Sequence, residues 1–306
     1  MHDKLIDSAQ QQEQGIPMKY ASLLDFLKNG RAVLTKGPVA FIFGEDETEM
    51  DTTLRHHQQL GFKHIVLLVP KSFYVPEDLE AEISRVGLEN PSGMGMIHAM
   101  NAIIAAAPDI WMYYCFNAEY LFFPFCENRS IGEMLTFHTE ERRSAMLTYV
   151  VDLYSQDLEK NPDAVSLEDT LLDRSGYYAL ARANPDNHNY PKERQLDFFG
   201  GLRWRFEEHV PAVRRKIDRI SLFKSKPDLQ ILPDFTFNDE EYNTYACEWH
   251  NNLTAAVCSF RTAKALKRNP GSKYDIDTFE WHNSVPFEWH SRQLLDLGLM
   301  EPGQWF

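Results

Sequence analysis

The residues of this chain that could do chemistry fall into a few groups. An acidic run, Gly44-Glu45-Asp46-Glu47, directly follows the apolar stretch VAFIFG. If that stretch is a parallel strand, the run sits at its carboxyl end, where open α/β sheets bind ligands. Acids that favour the start of the following helix explain the run equally well. The basic set Arg203, Arg205, Arg214, Arg215, Lys216 and Arg219 stands out in a chain of formal net charge −14. Bidentate guanidinium groups suit a diphosphate or an anionic acceptor. A solvated charged helix face is the preferred reading for Arg214 to Arg219, and less so for Arg203 beside Gly200-Gly201. His56 and His57 are adjacent; on a helix they point about 100° apart and cannot converge on one ion, so a structural role is expected. Glu-Trp-His recurs at Glu248, Glu280 and Glu288. Extended, such a triplet sets Glu and His on one face and Trp on the other, a metal clamp or a sugar-stacking platform. Docking of a tail by its aromatics is the simpler expectation. No GxGxxG or GxxxxGK[ST] pattern occurs.

The elements that must position these residues begin from composition. The 306 residues fit one large α/β domain with appendages or two smaller domains, and 43% hydrophobic with 13% aromatic residues excludes global disorder. The acidic balance argues against nucleic acid as a partner and against a polybasic membrane-surface protein. The N-terminal stretch lacks the apolar core of a signal peptide and no run approaches a membrane span, so a soluble, cytoplasmic protein is expected, with no transmembrane segment. Cys115, Cys126, Cys247 and Cys258 form no CxxC pair, which leaves neither a zinc ribbon nor a disulfide scaffold. The sequons at Asn128 and Asn252 then carry little weight.

Met18 to Leu27 predicts a short helix stopped at Asn29-Gly30. Val39 to Gly44, Thr48 to Gly61 and His64 to Val69 read as strand, helix and strand, hence a parallel sheet covered on both faces. Gly95 to Ala107 reads as a helix, and Ile110 to Pro124 as one long central strand region. Ser130 and Glu133 fit a capping box opening a helix through His138. Ala145 to Tyr154 is strand-like, and residues 155–195 are expected to form a long functional loop or lid with a short helix at most over Leu167 to Leu172. Leu196 to Phe206 is strand-like around a glycine pair, and Leu253 to Lys267 reads as a strand running into a helix.

Three stretches together resemble family 2-like glycosyltransferases of the GT-A fold. Val39 to Pro70 is similar to the family's opening strand, helix and strand. IHAMNAIIAAAPDIWMYYCFNAEYLFFPFCENRSIGEMLTF is similar to its helix, Trp-containing strand, Asp-x-Asp-Glu-Phe-Leu motif and following helix. FFGGLRWRF and the later AAVCSFR resemble its Gly-Gly-x-Arg segment and its strand ending in His-Phe-Lys. The resemblance spans roughly Gly37 to Lys267. It implies an α/β, GT-A-like fold with a Rossmann-type, mostly parallel sheet flanked by helices. The divisions are residues 1–30 as a helical arm, 31–268 as the glycosyltransferase-like domain and 269–306 as an aromatic tail.

It also implies transfer of a sugar from a nucleotide sugar to a saccharide or glycolipid acceptor, in polysaccharide assembly, with peripheral contact to the inner membrane left open. The family holds a divalent metal with two Asp and a late His. Aligning Glu119 to Pro124 on the end of the motif places Phe116 and Ala118 where those aspartates stand; a register shifted by one would place Asn117 and Glu119 there. Ser259 stands for the His, and Val69-Pro70 replaces a usual Asp. Manganese or magnesium is therefore expected to bind weakly or not at all. The resemblance assigns catalysis to Glu119 and Asp152, with Glu248 as a further candidate base, and nucleotide-sugar binding to Glu45, Asp46, Asn117, Arg203 and Arg261. Without metal, Arg203 and Arg261 should face one cleft near Glu119, shared by Gly44, Val69 and Phe116 to Glu119. The rival expectation is a non-catalytic relative that kept the fold as a binding module.

Overall fold

The computed structural model describes residues 19–245 and 251–305. Cys247 and Glu248, and with them the first Glu-Trp-His triplet, lie outside the described residues.

Continuous apolar runs become strands buried on both faces. After a short β1 (Lys19–Tyr20) and α1 (Leu23–Asn29), β2 (Val39–Phe43) leads into α2 (Met50–Gln59) and β3 (His64–Val69). Then come α3 (Glu77–Glu80), β4 (Ser84–Gly87), α4 (Met94–Ala106) and β5 (Trp111–Phe116). These strands pair in parallel in the order β1-β4-β3-β2-β5. Alternate residues of β2 define the layers. Val39, Phe41 and Phe43 pack with Phe26 of α1 and Met100 and Ile103 of α4, while Ala40 and Ile42 pack with Leu54 of α2. The helix expected over Met18 to Leu27 starts later, because Lys19 and Tyr20 extend the sheet beside β4.

Beyond β5 the sheet is mixed. β6 (Glu119–Phe122) is followed by α5 (Ile131–Glu140), whose Ser130–Glu133 capping box forms as expected, and by β7 (Ala145–Ser155). β8 (Thr170–Asp173), β9 (Tyr178–Asn184), β10 (Tyr190–Phe199), α6 (Gly201–Arg205), β11 (Asp218–Lys224), β12 (Ala255–Ser259), α7 (Arg261–Arg268), β13 (Ser284–Pro286) and α8 (Ser291–Asp296) complete the chain. The order continues β5-β11-β7-β12-β6; β12 is parallel to β7, and the other contacts are antiparallel.

Three expectations change. The long aromatic strand is two, because Asn117 and Ala118, the latter at φ 57°, turn the chain and send β6 to the far side of β12. Residues 155–195 are a loop only over 156–169, without the expected short helix: β8 pairs with β7, and β9 with β10 forms an exposed antiparallel hairpin. β9 is exposed over most of its length, so its apolar residues follow no core-facing alternation that would have marked a strand. The solvated helix face expected for Arg214 to Arg219 holds only at its start, where Arg214 ends an exposed 3-10 turn; Arg219 lies on β11 and is 7% exposed.

The tail docks by its aromatics. Phe279 is fully buried against Tyr154 and Phe206, and Phe287 packs on Phe122 and Trp289. Asp173 anchors it further, accepting from the Trp281 indole at 2.7 Å and from Arg205 at 3.0 Å. Truncating a buried Phe to Ala costs about 3–5 kcal/mol. Phe279→Ala is expected to lose stability on that scale in urea unfolding and to expose the chain beyond residue 270 to limited proteolysis; an unchanged cleavage pattern would contradict this docking.

Candidate functional site

The carboxyl ends of β2, β3 and β5 adjoin. Asn117 donates its backbone N–H to Phe43 O at 3.1 Å, and a Cβ on Gly44 would come within 2.4 Å of Val69 Cγ1. Asn117 is fully buried and works as a hub: its Oδ1 accepts from the Glu45 N–H at 2.9 Å, and its Nδ2 donates to Asp46 at 2.7 Å and to Thr48 O at 2.9 Å.

Glu119 occupies the floor with no exposure. Its Oε2 accepts from the Phe116 N–H at 2.9 Å and from Arg219 Nη2 at 2.8 Å, and its Oε1 accepts from the Ser259 hydroxyl at 3.0 Å. Burial pushes the Glu119 carboxyl up, but Arg219, Arg261 and the Phe116 N–H outweigh it and hold it below its ordinary value. Arg219 is held above its ordinary value by the same pairing, against its own burial.

Asp152 lies two strands over, on β7, with Ser259 of β12 between it and Glu119 in the register. Its Oδ2 accepts from the Leu202 N–H at 2.8 Å. Gly201, at φ 60°, permits this approach, since a Cβ there would sit 2.6 Å from that oxygen. Burial raises the Asp152 carboxyl, and nearby Arg203 opposes the rise only in part. Arg203 is partly buried, donating to Thr262 Oγ1 at 3.2 Å and to Lys216 O at 2.6 Å. Burial, with Arg261 and Arg219 nearby, lowers its proton affinity. Asp152 Oδ1, Arg219 Nε and the Tyr177 hydroxyl are buried without a hydrogen-bond partner among the described residues.

The rim is ionic. Arg261 grips Glu45 with two hydrogen bonds, at 2.6 and 2.7 Å, and its guanidinium lies 3.9 Å above the Phe116 ring. Lys264, 4% exposed, donates to both oxygens of Asp46 at 3.1 and 3.0 Å, and Arg268 pairs with the same carboxylate. Burial pushes Asp46 up, yet Lys264, the Thr48 N–H and Arg268 bring it down to about 2.

All seven residues carried forward from the sequence, Glu45, Asp46, Asn117, Glu119, Asp152, Arg203 and Arg261, therefore belong to one neighbourhood. Lys264 and Arg268 were missed, and Arg219, named in the basic set, was expected on a solvated helix face. Arg261, Lys264 and Arg268 recur at helical spacing and share one face of α7, a signal that charge periodicity alone could have supplied. His56 and His57 take structural places, bonded to Leu121 O and Thr53 O at 2.7 Å each. Cys115 and Cys258 are buried free thiols.

These residues do not fit a divalent cation. Phe116 and Ala118 offer no oxygen ligand from their side chains, and Glu45, Asp46 and Glu119 each already face a guanidinium or ammonium group. An added ion would meet Arg261 and Arg219 first. Among the described residues no helix is long and apolar enough to cross a membrane. A cavity of about 300 Å³ lined by His138, Arg143, Lys226 and Tyr242 opens near the start of β7, away from this site.

No protein-family model and no curated protein sequence matches the chain. Among solved structures it is similar to a UDP-glucose pyrophosphorylase from Acinetobacter baumannii, at 11% identity and a TM-score of 0.32 over 79% of this chain and 96% of that one. It is also similar to HddC from Yersinia pseudotuberculosis (10%, TM-score 0.28, 72% and 90%). A third is a putative glucose-1-phosphate thymidylyltransferase from Bacillus anthracis (8%, TM-score 0.27, 78% of each chain). Likenesses this distant carry no argument about chemistry.

Removing one partner of a buried ion pair costs about 3–5 kcal/mol, because the other charge is stranded. Arg219→Met and Glu119→Gln are each expected to destabilise on that scale, and the double variant by clearly less than their sum; a loss in urea unfolding equal to that sum would show that the pair is not coupled. Burial holds His56 and His138 at about 4 and His57 at about 3. The unfolded chain takes up these protons from about pH 6.5 downward. The stability they contribute is present above that value and is lost as pH falls toward about 4, by up to about 1.4 kcal/mol per pH unit for each. Asp152 and Asp218, whose carboxyls burial raises, have the opposite sign, two groups against these three histidines. Unfolding free energies at about pH 7, 6 and 5 should therefore fall steadily; a flat profile would contradict neutral buried imidazoles.

Proposed function

We propose that the chain binds a nucleotide sugar at the carboxyl ends of β2 and β5 and transfers its sugar to a saccharide acceptor without a divalent metal. The observation that carries this reading is the gathering of guanidinium groups beside Glu119: Arg219 donates to it at 2.8 Å, Arg261 lies 3.9 Å above the adjoining Phe116 ring, and Arg203 donates to Thr262, the residue after Arg261, at 3.2 Å. The resemblance to family 2-like glycosyltransferases supports it through the order of motifs, with Phe116 and Ala118 in place of the metal-binding aspartates. Fixed cations in a site screened from water can offset the charge that builds on a departing diphosphate.

In a direct displacement the acceptor oxygen bonds to the anomeric carbon as the bond to the diphosphate oxygen breaks. Arg203 and Arg261 receive the leaving diphosphate. Asp152 takes the acceptor proton; its raised carboxyl and its Oδ1, without a hydrogen-bond partner among the described residues, suit a base, although at 1% exposure it must be uncovered before an acceptor reaches it. Glu119 holds Arg219 and steadies Arg261. A second reading, binding without turnover, is favoured by the enclosure of Glu119 and Asp152, both almost without exposure.

Calorimetric titration with a panel of nucleoside diphosphates, with and without manganese, tests the proposal. Binding is expected without metal, and Arg203→Ala with Arg261→Ala should weaken it by about tenfold or more, since hydrogen bonds to charged groups are lost. Equal binding by parent and double variant would sink the site. Binding without sugar transfer or donor hydrolysis would select the second reading.

A further inference from the structure

The rim pairs hold two carboxylates in different ways. Asp46 is fixed on several sides, by Lys264, Arg268, the Asn117 amide and the Thr48 N–H. The Glu45 carboxylate, 22% exposed, has Arg261 as its one described ion-pair and hydrogen-bond partner. Arg261 in turn gives its described side-chain hydrogen bonds to Glu45 and rests its guanidinium on the Phe116 ring. That fork is rigidly backed, partly exposed at 30%, and presented in the geometry that binds two oxygens of a carboxylate or a phosphate.

We propose that Glu45 is a built-in anion that occupies the phosphate-binding fork of Arg261, and that a diphosphate ligand binds by displacing it. This inference rests on the proposed nucleotide-sugar site and reverses the sequence-based expectation for one residue. If Glu45 touched the nucleotide base or ribose, neutralising it would weaken binding. As a competing anion, it must leave, and neutralising it strengthens binding. Asp46 does not exchange: moving it would strand Lys264, a nearly buried ammonium, whereas the freed Glu45 carboxylate needs only to turn into solvent at the rim.

The test compares the parent, Glu45→Gln, Asp46→Asn and Glu45→Gln with Arg261→Ala. Each is titrated calorimetrically with inorganic pyrophosphate and with nucleoside diphosphates, and melted to check folding. Glu45→Gln is expected to bind about fivefold more tightly than the parent, the effect of one partly exposed ion pair. The gain should vanish when Arg261→Ala is added, and Asp46→Asn should lower the melting midpoint without any such gain. A parent that binds while Glu45→Gln binds no tighter, or less tightly, overturns the displacement and leaves the nucleotide site standing. Failure of parent and Glu45→Gln alike to bind any diphosphate overturns the site itself. Binding by Glu45→Gln where the parent shows none supports both.

Discussion

A carboxylate and a guanidinium one hundred residues apart, Glu119 and Arg219, meet where almost no water reaches them, and the site is arranged around that pair. Neither charge could be buried alone. Together they are viable because the remaining lone pairs of Glu119 are met by the Phe116 N–H and the Ser259 hydroxyl. The pair joins β6, β11 and β12, strands that would otherwise be linked at this end by apolar packing and ladder bonds. It also gives the network its position: Arg261 and Arg203 enter a field already set by one buried negative charge.

From the floor to the rim, the charges alternate in sign. Glu119 lies against Arg219, Asp152 lies near Arg203, Arg261 grips Glu45, and Lys264 with Arg268 holds Asp46. Such a network is rigid when complete and costly when one member is lost. Asn117 ties β5 to the loop after β2, because its side chain bonds the acidic loop and its backbone N–H donates to Phe43 O. The left-handed turn at Ala118 is part of the same device. By turning the chain immediately after β5, it lets Glu119 point back under Arg219 instead of continuing outward along the strand.

A site built this way treats anions differently from metals. Its carboxylates are already neutralised by fixed cations, so an added divalent ion would face repulsion, whereas an anionic ligand competes with carboxylates for guanidinium groups. Exchange of one anion for another at Arg261 needs no large rearrangement of the sheet. The tail, clamped through Asp173, Arg205 and Trp281, closes the neighbouring side and keeps Tyr154 and the α6 segment in place.

The amino-acid sequence by itself determined the parallel half of the sheet. Runs such as Val39 to Phe43 and His64 to Val69 have no polar face to offer, so they must be covered on both sides, and the helix between them supplies the crossover. It also determined the capping box at Ser130, a strand running into a helix over Leu253 to Lys267 and the neighbourhood of Glu45, Asn117 and Glu119, since strand ends in such folds converge. Tertiary structure decided the rest. Whether Arg219 is solvated or buried depends on meeting Glu119 across one hundred residues, which no local pattern encodes. The hairpin of Tyr178 to Asn184 and Tyr190 to Phe199 reads as loop because it touches the core only near its end, around Phe198, and the rest is free of any apolar alternation. The roles of Glu45 and Asp46 divide only once α7 brings Arg261, Lys264 and Arg268 opposite them, because the same carboxylate serves a helix, a ligand or an ion pair according to which charge it faces.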